Sequence, residues 1–244
     1  TPEPQAHDGD VELNADGWAY GFTLGALADV TDTARVGLNY RSRYKYKLKG
    51  DADYTTPVIG NAVIDATLAS LYKDVGAETR ITMPDMASLS YYQQVTPAWA
   101  VMADATWTNW SVFKNLKIEF DDGRKPDKTS YDWKDAWRFS LGATYRPVDP
   151  LLLRAGVAYD QSPVPDALHR TPRVPDSDRY WASLGASYAV LDWLKIDAGY
   201  THIFVEGAKI HNDSTETANN AVGTLDADVK SFVDIASLQL TMHW

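Results

Sequence analysis

Apolar and polar positions alternate along most of this chain, in blocks of about ten residues set apart by turns or polar loops. Side chains on a strand point alternately to opposite faces, so a period of two predicts strands with one apolar face. Trp18, Tyr20, Phe22, Leu24 and Ala26 alternate with Ala19, Gly21, Thr23 and Gly25, which predicts a first strand over about 17–29. After a tight turn at Thr31-Asp32-Thr33, a second strand over about 34–48 sets Val36, Leu38, Tyr40, Tyr44 and Tyr46 against Arg35, Gly37, Asn39, Arg41, Arg43, Lys45 and Lys47. A long polar loop is expected over roughly 50–80.

The same pattern predicts strands over about 85–95 and 98–119, joined at Thr96-Pro97, then a charged loop over 121–133. A fifth strand, about 135–147, alternates Trp137, Phe139, Leu141, Ala143 and Tyr145 with Arg138, Ser140, Gly142, Thr144 and Arg146. The turn Pro147-Val148-Asp149-Pro150 leads to a sixth over about 151–160. A Pro-rich loop (161–177) precedes strands over about 178–190 and 194–206, joined at Leu191-Asp192-Trp193. A loop of roughly 207–228 comes before the ninth strand, which ends the chain on an aromatic, Trp244.

Short turns thus alternate with long polar loops, and one face of nearly every strand is apolar with aromatics at its ends. An antiparallel transmembrane β-barrel has this signature: lipid outside, a polar lumen inside, short periplasmic turns and long extracellular loops. A soluble sandwich also alternates, but has no reason to repeat aromatics at strand ends. A C-terminal strand finishing at Trp244 fits the closing strand of such a barrel, its end in the aromatic girdle.

Composition narrows the classes. The 244 residues carry no Cys, nine Trp, fourteen Tyr and a net charge of −10. There is no thiol chemistry, and no basic region of the density that nucleic-acid binding requires. No apolar run reaches the length of a membrane helix, which leaves barrel strands untouched, since half their residues are polar. The first residues lack the features of a secretion signal. Nine strands is an odd number, whereas bacterial single-chain barrels use even ones, and nine alone leave two unpaired edges in lipid. The expectation is a C-terminal portion: residues 1–15 end an extracellular loop, residues 16–244 supply barrel wall, and earlier strands are missing.

Several strings carry a family resemblance: Gly37-Leu38-Asn39-Tyr40-Arg41-Ser42; Met83-Pro84-Asp85-Met86; Thr106-Trp107-Thr108-Asn109-Trp110-Ser111-Val112-Phe113; Trp133-Lys134-Asp135-Ala136-Trp137-Arg138; and Asp160-Gln161-Ser162-Pro163-Val164-Pro165 continuing to Pro175-Asp176-Ser177-Asp178-Arg179-Tyr180-Trp181. In this order they resemble the FadL-type family of outer-membrane transporters for long-chain fatty acids and aromatic hydrocarbons. The resemblance implies a barrel of about fourteen strands, plugged by an N-terminal hatch, of which this chain supplies the last nine. It also implies passive uptake without a cofactor, in the bacterial outer membrane, by a monomer placed there by the outer-membrane assembly machinery. Family members carry a cation for the acid headgroup near Lys128 and Lys134, although Thr129 falls where that cation is expected.

A hydrophobic ligand with an anionic head needs an apolar path and a few cations. Candidates on the lumen face are Arg35, Arg41, Arg43, Arg138, Arg146 and Arg154, with Asp104, Asp160 and Asp197 as acids able to neutralise them. Arg41 and Arg43 are the leading ligand contacts, with Lys45 and Lys47 continuing the stripe outward; the alternatives are charge networks that fill the lumen, or contact with lipopolysaccharide. Asp176 and Arg179, where the Pro-rich loop re-enters the barrel, are expected to tie that loop to the rim. Trp107, Trp110 and Trp133 suit an interfacial girdle better than a ligand site. The five His (His7, His169, His202, His211, His243) show no metal-ligand spacing. Competing functions are a membrane-embedded lipid hydrolase, which needs a Ser–His pair, and a structural or adhesion barrel, which needs a lumen packed shut by charges.

Overall fold

The computed structural model describes residues 8–213 and 223–242. In chain order its strands are β1 (Asp10–Asp16), β2 (Thr23–Thr31), β3 (Ala34–Arg41), β4 (Tyr44–Thr55), β5 (Val75–Met83) and β6 (Met86–Gln94). They continue with β7 (Trp99–Thr108), β8 (Asn115–Phe120), β9 (Asp127–Ser130), β10 (Ala136–Val148) and β11 (Leu151–Asp160). The last are β12 (Arg179–Leu191), β13 (Leu194–Val205), β14 (Ala208–Asn212), β15 (Leu225–Val229) and β16 (Phe232–Met242). One α-helix, α1 (Ala62–Leu71), lies between β4 and β5; it is too short to cross a membrane.

Nine strands form one antiparallel sheet in the order β16-β13-β12-β11-β10-β7-β6-β3-β2. These are the nine blocks that the alternation marks. Its lipid-type face is apolar and open: Leu141, Leu184 and Leu238 are 63%, 67% and 73% exposed, too much for a face turned to water. Phe139, Tyr159, Tyr180, Phe204 and Phe232 stand directly opposite one another across five adjacent strands. This aromatic row marks one interface. On β12, Tyr188 marks the other, about 26 Å of strand away from Tyr180 at about 3.3 Å per residue. The opposite face carries Arg, Asp, Ser, Thr and Gly, including Gly142 opposite Gly156 and Gly185 opposite Gly199.

The connections β2–β3, β6–β7, β10–β11 and β12–β13 are short turns at one end of the sheet; all long connections lie at the other. Several of those long connections are themselves folded. A second sheet, β1-β4-β5-β8-β9, stands above the barrel wall, and β14 pairs with β15. The expected strand over 34–48 is therefore two, β3 and β4, interrupted at Ser42 and Arg43. The expected loop over 50–80 holds the rest of β4, α1 and β5; the segment 98–119 divides into β7 and β8; and the loops over 121–133 and 207–228 contain β9, β14 and β15. Within residues 1–15, read from sequence as the end of an extracellular loop, β1 begins at Asp10 and pairs with β4. Trp244, assigned to the girdle from sequence, lies outside the described residues.

Candidate functional site

The junction between barrel wall and outer sheet is held by a buried carboxylate. Asp85, between β5 and β6, accepts a hydrogen bond from Asn109 Nδ2 at 3.0 Å and one from Tyr40 Oη at 3.3 Å, and pairs with Arg43 Nη2 at 2.9 Å. Its own carbonyl accepts the Asn109 N–H at 2.9 Å. One acid thus ties β3, β6 and β7 at the level where the chain passes between them and β4, β5 and β8 of the second sheet. A neighbouring acid, Asp135, receives Trp107 Nε1 at 3.2 Å and Ser111 N at 3.1 Å. Neither was singled out from sequence: the relevant signal was an Asp following Pro84 in the string Met83-Pro84-Asp85-Met86, and only the register brings Arg43 beside it.

The six cations proposed for ligand contact divide by partner. Arg43 is committed to Asp85. Arg41, at the end of β3, pairs in register with Thr23 and Met86, and it has no carboxylate within ion-pair distance among the described residues. The same is true of Lys45, Lys128 and Lys134. Arg138 lies 5.0 Å over the Trp181 ring, a cation–π contact on the lumen face. Other arginines on that face pair with acids, while Asp104 accepts hydrogen bonds from Ser90 and Thr106 instead. Arg35 meets Asp29 at 2.6 Å, Arg154 lies 3.5 Å from Asp197, and Arg179 lies 3.2 Å from both Asp160 and Asp176. Ser162 Oγ also donates to Asp176 at 2.8 Å, so the Pro-rich loop, Asp176 and Arg179 meet at one point of the rim. The stripe beyond Arg43 is partly neutralised as well: Lys47, Lys49 and Arg80 share Glu78 at 3.1, 3.6 and 3.0 Å. The hydrogen bond from Lys47 holds the Glu78 carboxyl below its ordinary range.

A groove of about 410 Å³ is lined by Leu27, Arg35, Gly37, Tyr92, Met102 and Gly142. At Gly142 an added Cβ would meet its nearest atom at 3.6 Å, so the backbone does not demand glycine there. Its effect is to leave the wall flat.

A second cavity, about 390 Å³, sits at the outer tip under α1, lined by Val11, Tyr54, Pro57, Ile59, Leu68 and Tyr72. Its size falls in the range of small-ligand pockets. It exists because β1 and β4 put Val11 and Tyr54 on one face, opposite each other, and α1 lies across their ends. The helix is placed by its N-cap: Asn61 Oδ1 accepts the N–H groups of Val63 and Ile64. Tyr54 and Tyr72 pack at 5.9 Å, and Arg124 donates to Tyr54 Oη at 3.1 Å.

The described histidines pair with acids. His202 Nδ1 meets Asp234 at 2.6 Å, His169 Nδ1 meets Asp166 at 2.8 Å, and His211 Nδ1 meets Asp226. None is hydrogen-bonded to a serine hydroxyl among the described residues, so these pairs do not make the nucleophile–base contact a hydrolase needs.

The chain is 32% identical over 238 residues to the long-chain fatty acid transport protein of Escherichia coli O6:H1, covering 96% of this chain and 51% of that protein. It is 33% identical over 205 residues to outer membrane protein P1 of Haemophilus influenzae, covering 82% and 40%. The crystal structure of a Pseudomonas aeruginosa FadL homologue superposes with a TM-score of 0.84 at 30% identity, covering 99% of this chain and 56% of that one. The toluene transporter TodX of Pseudomonas putida shares the fold, with a TM-score of 0.58 at 16% identity over 93% of this chain and 50% of that one. The chain spans about half the length of the curated relatives it matches. Residues 2–244 match the family described as outer membrane protein transport protein (OMPP1/FadL/TodX), and the chain belongs to that outer-membrane family.

Proposed function

We propose that the complete protein is an outer-membrane channel for passive uptake of hydrophobic compounds, long-chain fatty acids foremost, and that this chain forms the C-terminal part of its wall. The observation that carries this reading is the apolar cavity of about 390 Å³ at the outer tip, on the same molecule as a flat, glycine-bearing lumen face. A lumen meant only for structure would be packed shut by paired charges. Among the described residues Arg41 makes no ion pair, and Arg138 lies over the Trp181 ring with Asp160 opposite it in register but beyond ion-pair distance, so each guanidinium suits an acid headgroup. In this reading residues 1–15 belong to the extracellular side and 16–244 to the barrel with its outer sheet. The protein works as a monomer, meets lipopolysaccharide along its outer rim, is inserted by the outer-membrane assembly machinery and uses no cofactor. A relative at 32% identity is a long-chain fatty acid transport protein, whereas the toluene transporter is like this chain in fold only. Fatty acids are therefore placed ahead of aromatic hydrocarbons.

The test is growth on oleate of a strain lacking its own fatty-acid channel and expressing the complete protein. Leu68→Arg, which puts a charge into the tip cavity, is expected to slow growth while a folded, heat-modifiable barrel remains. Absence of growth with the unaltered, folded protein would overturn the reading.

A further inference from the structure

His202 and Asp234 stand directly opposite each other on β13 and β16, on the face that the barrel wall turns to lipid. Among the described residues they are the only Asp, Glu, Lys, Arg or His on that face of the nine strands. Ionisable groups at membrane depth are rare and costly, and they collect where something polar meets them. The next pair outward is Phe204 opposite Phe232, part of the aromatic row at the end that carries the long loops. One such step is about 7 Å of strand, so the pair lies just inside the hydrocarbon of the outer leaflet.

The pair is held from several sides. His202 Nδ1 and Tyr200 Oη both bond to Asp234 Oδ1, each at 2.6 Å. The imidazole packs edge-on against Phe204, centroids 4.2 Å apart, and lies 5.8 Å from Phe232. Among the described residues no hydrogen bond reaches Asp234 Oδ2. A carboxylate oxygen only accepts, so it calls for a donor, and water is scarce at this depth. Beside the pair the wall is hollow. Leu141, Val157 and Ala182 continue the row of His202, and Ala143, Ala155 and Leu184 continue that of Tyr200. The three alanines leave a depression of about 550 Å³ with Tyr200 and His202 at one end. Such a trough suits an acyl chain, and its polar end suits a hydrogen-bond donor joined to that chain.

We infer that this is a binding site for one molecule of lipopolysaccharide. An acyl chain of its lipid A lies in the alanine depression, and the amide N–H or 3-hydroxyl group of that chain donates to Asp234. The donors decide which lipid it is. Lipid A chains carry amide and hydroxyl donors just below the sugar, whereas the glycerol esters of a phospholipid offer only acceptors at that depth. The site is on the outside of the wall and goes beyond the channel reading, since it does not depend on what the channel carries.

The experiment places the complete protein in micelles with equimolar lipid A and phosphatidylethanolamine and counts the retained lipids by native mass spectrometry. The unaltered protein is expected to retain lipid A in preference. Asp234→Leu is expected to lower that preference about ten-fold, as for one hydrogen bond to a charged group. Ala182→Phe, which fills the depression and leaves the pair in place, is expected to lower it as well. Heat-modifiable migration on a gel shows that each barrel is folded; if Asp234→Leu does not fold, Ala182→Phe decides alone. A pair that only fastens β13 to β16 predicts a lower unfolding temperature for Asp234→Leu with the lipid A preference intact, and that result overturns the inference. Equal retention of the two lipids by the unaltered protein overturns it too, as does a preference that Ala182→Phe leaves untouched.

Discussion

Arg43 Nη2 lies 2.9 Å from Asp85 Oδ1, and the two differ sharply in setting: the Asp85 side chain is 8% exposed and that of Arg43 is 44% exposed. The buried partner dominates the energetics, because a carboxylate removed from water must keep its donors. Arg43, Tyr40 and Asn109 supply them from three different positions of the rim. Asp85→Ala is expected to cost about 2 kcal/mol, less than a fully buried ion pair because Arg43 can turn to water. Asp85→Asn keeps an acceptor for Asn109 and is expected to cost about half as much. The temperature at which the folded, fast-migrating form is lost on a gel measures both; equal losses would mean that charge, not hydrogen bonding, holds the junction.

Gly21 faces the same junction from the other edge. A Cβ at this position would fall 2.1 Å from Tyr44 Cε1 and 2.8 Å from Ser42 Oγ. Here the segment 17–22 crosses close against Tyr44, while Phe22 N donates to Ser42 Oγ and Ser42 N donates to Phe22 O, both at 2.9 Å. Gly21→Ala is expected to destabilise by about 1–3 kcal/mol through overpacking. Tyr44→Ala should absorb much of that loss, so the double variant should be more stable than the sum of the single effects. Additive losses would show that the clash is relieved elsewhere.

The barrel wall was legible because it has two different solvents on its faces: lipid keeps every second residue apolar and the lumen keeps the others small or polar, as in Trp137 to Arg146. The outer sheet lacks that contrast. β1 alternates Val11, Leu13 and Ala15 with Glu12, Asn14 and Asp16, but is short and acidic, and reads as loop. In β5, Gly76, Thr79 and Thr82 interrupt the period. The site was legible as a set of cations and no further. Which of them are already neutralised depends on pairs such as Arg43–Asp85 and Lys47–Glu78, whose members are 42 and 31 positions apart. Such pairs follow from register, which the alternation of a single strand does not state.

His211 links pH to the β14–β15 hairpin. It stands opposite Asp226, whose carboxylate bonds to Nδ1 and raises the imidazole above its ordinary value near 6.5, with Asp213 adding in the same direction. A group whose folded value is raised contributes its full stabilisation below the unfolded value and loses it as pH rises through the folded one. The hairpin should therefore hold best below about pH 6.5 and loosen above that. Because Asn212 Nδ2 donates to Leu168 O at 3.1 Å and Arg170 O at 3.2 Å, loosening should be felt in the Pro-rich loop too. Amide exchange of residues 208–212, corrected for its intrinsic pH dependence, reports it; Asp226→Asn should remove most of the pH dependence and leave the smaller part due to Asp213, and a profile unchanged by that substitution would reject the link.

Arg41 and Arg43 are adjacent on one face and read alike in sequence, yet the structure gives them different work. Arg43 is bound to Asp85, so Arg43→Gln leaves that carboxylate with one donor fewer and should lower the unfolding temperature. Arg41 has no carboxylate to release among the described residues, and Arg41→Gln should leave stability within about 0.5 kcal/mol, as for surface substitutions away from special features. If Arg41 meets the substrate headgroup, the same change should weaken half-saturation for oleate about ten-fold, the loss of one charge-assisted hydrogen bond of about 1.4 kcal/mol. Uptake of a neutral methyl ester supplies the contrast, since it offers no charge to lose. Should Arg41→Gln weaken acid and ester equally, the residue shapes the path and does not read the headgroup. Should Arg43→Gln alter oleate half-saturation at unchanged stability, the ion pair with Asp85 opens for substrate, and Arg43 joins the ligand site after all.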